Sequence, residues 1–276
     1  MILYQNQFVP KDKMHISFED RGYYFGDGVY EVFRIYRGKL FEKQAHMRRL
    51  VRSAGEIRLR LPYSTEEIEE KLESLVIQEQ IEEGTLYMQI TRGIAPRAHV
   101  FPKNAEPVLM AYCNEVKRPL GSIKEGITAV SVEDIRWHRC DIKSLNLLGN
   151  VLAKQEAVER GAGEAILHRS GRVTECSASN VMMVKDGVIY THPADNCILH
   201  GVTRAVVLKL ARQEGLEIRE EARSLEDFLQ ADEAFITGTT VEITPIIRID
   251  GQAVGTGRPG PLTVQLQSAF EKAIIS

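Results

Sequence analysis

Lys143 lies in the run Cys140-Asp141-Ile142-Lys143-Ser144-Leu145-Asn146-Leu147-Leu148, between apolar residues and ahead of good helix formers, with Ser144 or Asn146 able to cap. A lysine packed at a helix start is desolvated and meets the positive end of the helix dipole. Both effects disfavour the ammonium and leave an amine able to attack a carbonyl. Alone, the segment fits a solvated surface lysine better, because strongly perturbed lysines are rare. Other residues bear on the choice. Glu175 is a carboxylate in the short polar run Arg172 to Asn180, ordinarily a turn residue. Gly201-Val202-Thr203 enters an apolar-periodic helix over 205–215 and offers N–H groups, a hydroxyl and a positive dipole end to a phosphate. Phe235 to Pro245 reads as a strand entering a hydroxyl-rich turn at Thr239, another candidate oxyanion contact. Arg97 and His99 sit in a loop with little apolar reason to be ordered, where they suit a carboxylate as well as solvent. Arg49 borders an apolar helical stripe, and reads either as a snorkelling arginine or as an anion ligand directed inward.

The elements that must position these residues follow from periodicity. Glu31 to Phe41 alternates around Arg37-Gly38 and predicts a hairpin. Before it, Asp20 to Tyr30 holds Gly22, Gly26 and Gly28 among Tyr23, Tyr24 and Tyr30, a loop suited to close approach and to presenting phenols. Met47, Leu50, Val51, Ala54 and Ile57 predict a helix over 43–61, and Ser64-Thr65-Glu66-Glu67 caps a second one running to Gly84. Strands are predicted over 85–92 and 107–113. A polar Pro/Gly stretch over 114–122 reads as a linker. Beyond it come a strand over 127–132, a helix over 145–160, strands over 164–168 and 181–190, and a terminal helix from Pro259 or Pro261.

With 276 residues the chain can form one large domain or two ordinary ones. A formal net charge of -3 gives no electrostatic reason to expect nucleic acid or an anionic membrane as partner. Cys113, Cys140, Cys176 and Cys197 are widely spaced, without a C-x-x-C pair, so neither a metal nor a disulfide framework is expected and a reducing, cytoplasmic setting fits. No signal segment or membrane span is read.

An amine nucleophile, a ring-nitrogen partner, a phosphate cradle and a carboxylate trap are the four needs of pyridoxal phosphate acting on an amino acid. The sequence resembles the fold-type IV, class-IV pyridoxal-phosphate-dependent aminotransferases, and among them those acting on D-amino acids. The likeness runs nearly end to end, through Glu19-Asp20-Arg21-Gly22, Phe25 to Glu31, Thr91-Arg92-Gly93, Pro96 to His99, Arg139 to Asn146, Glu175 to Asn180 and Glu242-Ile243-Thr244-Pro245. The resemblance implies an α+β, two-domain fold. A smaller N-terminal α/β domain over 1–116 would carry the substrate-carboxylate loop, 117–121 would be the linker, and 122–276 would bind the cofactor around a mixed, barrel-like sheet with helices. It implies Lys143 as covalent tether and proton carrier, and Glu175 at the pyridine nitrogen. Arg49, Leu199, Gly201, Val202, Thr203 and Thr239 would hold the cofactor, chiefly its phosphate. Tyr30, Arg97 and His99 would bind the substrate carboxylate, the latter two from a neighbouring subunit of a homodimer. The implied reaction is D-alanine plus 2-oxoglutarate to pyruvate plus D-glutamate. The alternatives are a branched-chain L-amino-acid or (R)-amine transaminase, and an aminodeoxychorismate lyase-like enzyme. Ala178 and Gly238 stand where relatives have serine, and His138 follows Trp137 where an apolar residue is expected.

Overall fold

The computed structural model describes residues 1–275. The chain divides into two compact units, one formed by Met1–Arg118 with Ile142–Asn146, the other by Pro119–Asp141 with the residues from Leu147 onward.

In the first unit, β1 (Ile2–Tyr4), β2 (Gln7–Val9), β3 (Gly28–Tyr36), β4 (Lys39–Leu40), β5 (Glu83–Thr91) and β6 (Val108–Glu115) form an antiparallel sheet in the order β2-β1-β6-β5-β3-β4. Helices α2 (Lys43–Glu56) and α3 (Thr65–Glu79) cover it, burying Met47, Leu50, Ile68, Leu72 and Leu75 with Phe33, Leu86 and Met88 of the sheet. Each such side chain contributes about 1.5–3 kcal/mol on leaving water. The cap predicted for the second helix is present. Ser64 N–H donates to Glu67 Oε2 at 2.8 Å and Glu67 N–H to Ser64 Oγ at 3.2 Å. The glycine-tyrosine run, expected as a loop, contains a short helix, α1 (Arg21–Phe25). Asp20 caps it through Gly22 N–H at 2.7 Å, which secures a helix too short to have an apolar period of its own.

The second unit contains, in order, α4 (Leu120–Glu125), β7 (Ile127–Glu133), α5 (Leu148–Glu159), β8 (Glu164–Arg169), β9 (Arg172–Cys176), β10 (Asn180–Lys185) and β11 (Val188–Thr191). It continues with α6 (Val202–Gln213), β12 (Ile218–Glu220), α7 (Leu225–Leu229), β13 (Glu233–Gly238), β14 (Glu242–Ile249), β15 (Gln252–Ala253) and α8 (Pro261–Ile275). Its mixed sheet runs β12-β11-β10-β13-β14-β7-β8-β9, with β15 on β14. The β11/β12, β14/β7 and β7/β8 pairs are parallel. Strand β9 closes one end of that order while β10 lies well inside it. The two are consecutive in the chain and meet where Cys176 N–H donates to Ser179 O at 2.8 Å, so the sheet must curl. Val173, Val181, Met183, Ile236 and Ile246 fill the curl. This is the α+β, half-barrel architecture that the resemblance implied. The stretch over 114–122 differs from a plain linker: β6 extends to Glu115 and α4 begins at Leu120, because Pro119 supplies the fixed φ of a helix entry.

Candidate active site

In the first unit the lysine segment lies along the entry of β3. Val29 and Ser144 form an antiparallel bridge, Tyr30 N–H donates to Lys143 O at 3.0 Å, and Leu145 N–H donates to Gly28 O at 3.1 Å. Only glycine permits this approach at position 28, since a Cβ there would stand 2.5 Å from Ile90 O and 2.8 Å from Leu145 Cδ1. On the other side Lys143 N–H donates to Ser53 Oγ of α2 at 3.2 Å. The backbone is thus held from two elements. The half-buried side chain places its amine 4.1 Å from the Tyr30 ring centroid, within cation–π range.

This placement corrects the expectation of a helix start. Helix α5 begins only at Leu148, and its N-cap residue Leu147 makes no side-chain cap. Ser144 is taken by the bridge to Val29, and Asn146 Nδ2 donates to Gly26 O at 3.0 Å. Pairing with β3 captures the backbone groups that a further helical turn would have used.

Helix α2 turns a column of polar residues inward. His46, Arg49 and Ser53, spaced by three and four, share a face beside the apolar column of Met47, Leu50 and Ala54, and all are buried. Arg49 donates from Nε to Glu31 Oε1 at 2.8 Å and from Nη2 to Glu31 Oε2 at 2.7 Å, a two-pronged pair. His46 Nδ1 lies 2.7 Å from Glu31 Oε2. Burial pushes the Glu31 carboxyl up, but the charges and hydrogen bonds of Arg49 and His46 outweigh it and bring it down to about 2. Burial holds His46 below the ordinary histidine range. The carboxylate is therefore ionised and the imidazole neutral, so Nδ1 carries the proton it donates. Arg49 is directed inward, as one of its two sequence readings had it, with Glu31 as its partner. Glu31 and His46 carry no isolated sequence signal. The one legible hint is the spacing of His46, Arg49 and Ser53 along the helix.

Arg97 and His99 are exposed and pack on Phe25. The Arg97 guanidinium lies 5.1 Å from the ring centroid, and the His99 ring 5.6 Å from it. Their loop is pinned by Arg21, which donates from Nη1 to Ala98 O at 2.6 Å. Tyr30 stacks on Tyr87 at 5.7 Å, and Tyr87 on Tyr112 at 5.3 Å, a row of phenol rings across the sheet that sequence reading did not find.

In the second unit Glu175 belongs to strand β9 and not to a turn. Its Oε1 accepts from Arg136 Nη1 at 2.6 Å, and its Oε2 accepts from Asn180 Nδ2 at 2.9 Å and Leu199 N–H at 3.0 Å. Arg136 in turn is gripped by Asp134, from Nε at 2.8 Å and Nη2 at 2.9 Å. Asp134 also accepts from Arg169 Nε and Thr174 Oγ1, so the pair rests on a fixed frame. Burial raises Glu175, to about 7, and Arg136 is the main force against it. Three donors aimed at one carboxyl define it as an acceptor. Neither Asp134 nor Arg136 was singled out from the sequence. Their spacing of two on an extended segment was the available signal.

Asn180 joins Glu175 to the start of α6. Its Nδ2 also donates to Leu199 O at 2.9 Å, and a Cβ on Gly201 would collide with its Oδ1. Gly201 is the N-cap of α6, and no side chain among the described residues caps that helix. The N–H groups of Val202 and Thr203 therefore open an anion-binding turn. Asn180 pairs with Thr237 in the β10/β13 ladder, and Thr239 follows in the turn after β13. The Ala178 and Gly238 positions meet here, since a Cβ on Gly238 would lie 3.5 Å from Ser179 Cβ and 3.8 Å from Ala178 O.

The fold and these residues define a class. Residues 28–249 match the model of the family described as amino-transferase class IV, and the chain belongs to that family. It is 51% identical over 276 residues to a D-alanine aminotransferase of Listeria monocytogenes, covering 99% of this chain and 96% of that protein. To the D-alanine aminotransferase of Staphylococcus haemolyticus it is 48% identical, covering 100% and 98%. Among solved structures, the Escherichia coli branched-chain amino acid aminotransferase superposes with a TM-score of 0.94 at 29% identity, over 98% of this chain and 93% of that one. The Thermobaculum terrenum branched-chain enzyme, solved in its PLP form, superposes with a TM-score of 0.88 at 26% identity, over 99% and 93%. The chain is thus a class IV aminotransferase of the kind that works with pyridoxal phosphate on amino and 2-oxo acids. Among the described residues no helix is long and apolar enough to cross a membrane.

Proposed function

We propose that this chain transfers the amino group of D-alanine to 2-oxoglutarate, giving pyruvate and D-glutamate, with Lys143 as its covalent tether to pyridoxal 5'-phosphate. The observation that carries the reading is the amine of Lys143, held over Tyr30 by a backbone fixed to β3 and to Ser53. The donor set fits the cofactor. An amine suits its aldehyde, a buried carboxylate suits its ring nitrogen, and an uncapped helix start suits its phosphate. When bound, the cofactor supplies a carbonyl for nitrogen exchange and a ring that accepts the electrons of the broken Cα–H bond.

The chain's residues supply the rest. Lys143 would hold the cofactor through its amine and, with that amine free, would carry the proton taken from the substrate Cα. Glu175 would face the ring nitrogen and, as a carboxylate, would accept its hydrogen bond. The N–H groups of Val202 and Thr203 behind Gly201 bind the phosphate, with Thr239 and Arg49 contributing and Leu199 holding Glu175 in place. Tyr30 with Arg97 and His99 fixes the substrate carboxylate. The exposure of Arg97 and His99 on their own chain supports their reaching a neighbouring copy, in a cytoplasmic homodimer. Sedimentation of the holoenzyme at the mass of one chain would remove that part of the reading.

D-alanine with 2-oxoglutarate is expected to yield pyruvate with the purified holoenzyme, and L-alanine is not. The solved branched-chain relatives favour a second reading, an L-specific enzyme. Turnover confined to L-amino acids would establish it in place of the first. Glu175→Gln is expected to lower kcat by about 10²-fold, the scale of one lost preorganised charge in a site that excludes water. Stopped turnover assays against wild type read this directly, and a variant within twofold of wild type would remove Glu175 from its role.

A further inference from the structure

Between β11 and α6 the chain makes a loop in which His192, Asp195 and Cys197 bring one donor atom each to within 4.8 Å of one another. We propose that these three side chains form a binding site for a divalent transition metal of the zinc class, separate from the groups that hold the cofactor. Nitrogen, carboxylate oxygen and sulfur together are the donor set of zinc and its neighbours, and three protein ligands leave a position for water. Donors around tetrahedral zinc stand roughly 3.3–3.8 Å apart, given bonds of about 2.0–2.3 Å. His192 Nδ1 stands 3.6 Å from Asp195 Oδ1 and 3.0 Å from Pro193 O, to which it donates, and it takes a metal by moving its proton to Nε2. The Asp195 side chain is 43% exposed, and closing the widest separation takes a shift of about an ångström within the loop.

The loop holds the donors in place without a metal. Cys197 N–H donates to Asp195 Oδ1 at 2.7 Å, which sets thiol and carboxylate side by side. Asn196 Nδ2 donates to His138 O at 2.8 Å, Asn196 O accepts from Cys140 N–H at 2.9 Å, and His200 Nε2 lies 3.0 Å from Asp195 O. Burial and the Asp195 carboxylate keep the Cys197 thiol protonated, while the Arg169 charge pulls the other way. On binding, the S–H bond breaks, its proton leaves to solvent, the Sγ–metal bond forms, and no electrons are transferred. The same loop ends at Leu199, whose N–H donates to Glu175, and at Gly201 of α6. A metal here stiffens the run that carries both.

The test titrates Co²⁺ into the holoenzyme and follows ligand-field bands in the red, away from cofactor absorption, with Zn²⁺ as competitor. Wild type is expected to bind one ion, to show the intense bands of a tetrahedral site and to gain thermal stability with metal concentration. Cys197→Ser and Asp195→Asn, each with wild-type turnover and metal-free melting temperature, should bind about 100-fold more weakly or not at all. Absence of binding, weak octahedral bands, or wild-type affinity retained in both variants would overturn the proposal. Metal binding is read apart from turnover, so its failure leaves the assigned reaction untouched.

Discussion

Lys143→Ala is expected to lower pyruvate formation from D-alanine by about 10⁴-fold or more, the range lost when a positioned proton carrier is removed, and to abolish the visible band of the holoenzyme. The backbone contacts that hold this segment do not use the side chain. They run from Tyr30 N–H to Lys143 O, from Lys143 N–H to Ser53 Oγ and from Leu145 N–H to Gly28 O. The variant should therefore keep its far-ultraviolet spectrum and the melting temperature of the cofactor-free wild type, which separates lost chemistry from lost fold. Retention of more than roughly a hundredth of wild-type turnover with the visible band intact would show that another amine holds the cofactor.

Glu31→Ala should destabilise the first unit by about 3–5 kcal/mol, because it removes the two-pronged carboxylate partner of the buried Arg49 guanidinium. Urea denaturation measures this, with a lower midpoint and an unchanged slope. The wild-type pair carries its own pH signature. Glu31 has its folded-state pKa depressed from 4.5 to about 2. Its contribution is therefore fully present above about 4.5 and disappears as pH falls from there towards about 2. The variant should lack that component, so the two stability curves converge in acid. A loss below about 1 kcal/mol at neutral pH would mean that Arg49 finds other partners at little expense. Affinity for the cofactor should weaken too, since Glu31 fixes the guanidinium assigned to the phosphate.

Much of this protein is legible one element at a time. The apolar period of α2 and α3, the capping box at Ser64 and the alternation of β3 depend on neighbours within a turn or a strand, and they are where the sequence places them. Lys143, Glu175, Arg49 and the Gly201-Val202-Thr203 turn were likewise marked by residue type, with the family resemblance joining them. Their surroundings were less legible. The lysine segment was expected at a helix start and lies instead against β3, because backbone pairing with a distant strand outcompetes local helix propensity and leaves no trace in nearby residues. Glu175 reads as a turn residue from its polar neighbours, yet the curl of the sheet makes it a strand residue facing Asn180. His192, Asp195 and Cys197 match no spacing that signals a metal, and only the folding back of one loop brings their donors together. Sequence by itself determined the longer helices and most strands and marked the candidate site residues, since these follow from local periodicity and chemical type. Tertiary structure alone decided that Glu31 holds Arg49, that Arg136 holds Glu175 and that Ser53 meets Lys143. Each of these joins residues far apart in the chain, and their partnership is set by which faces the sheets and helices bury together.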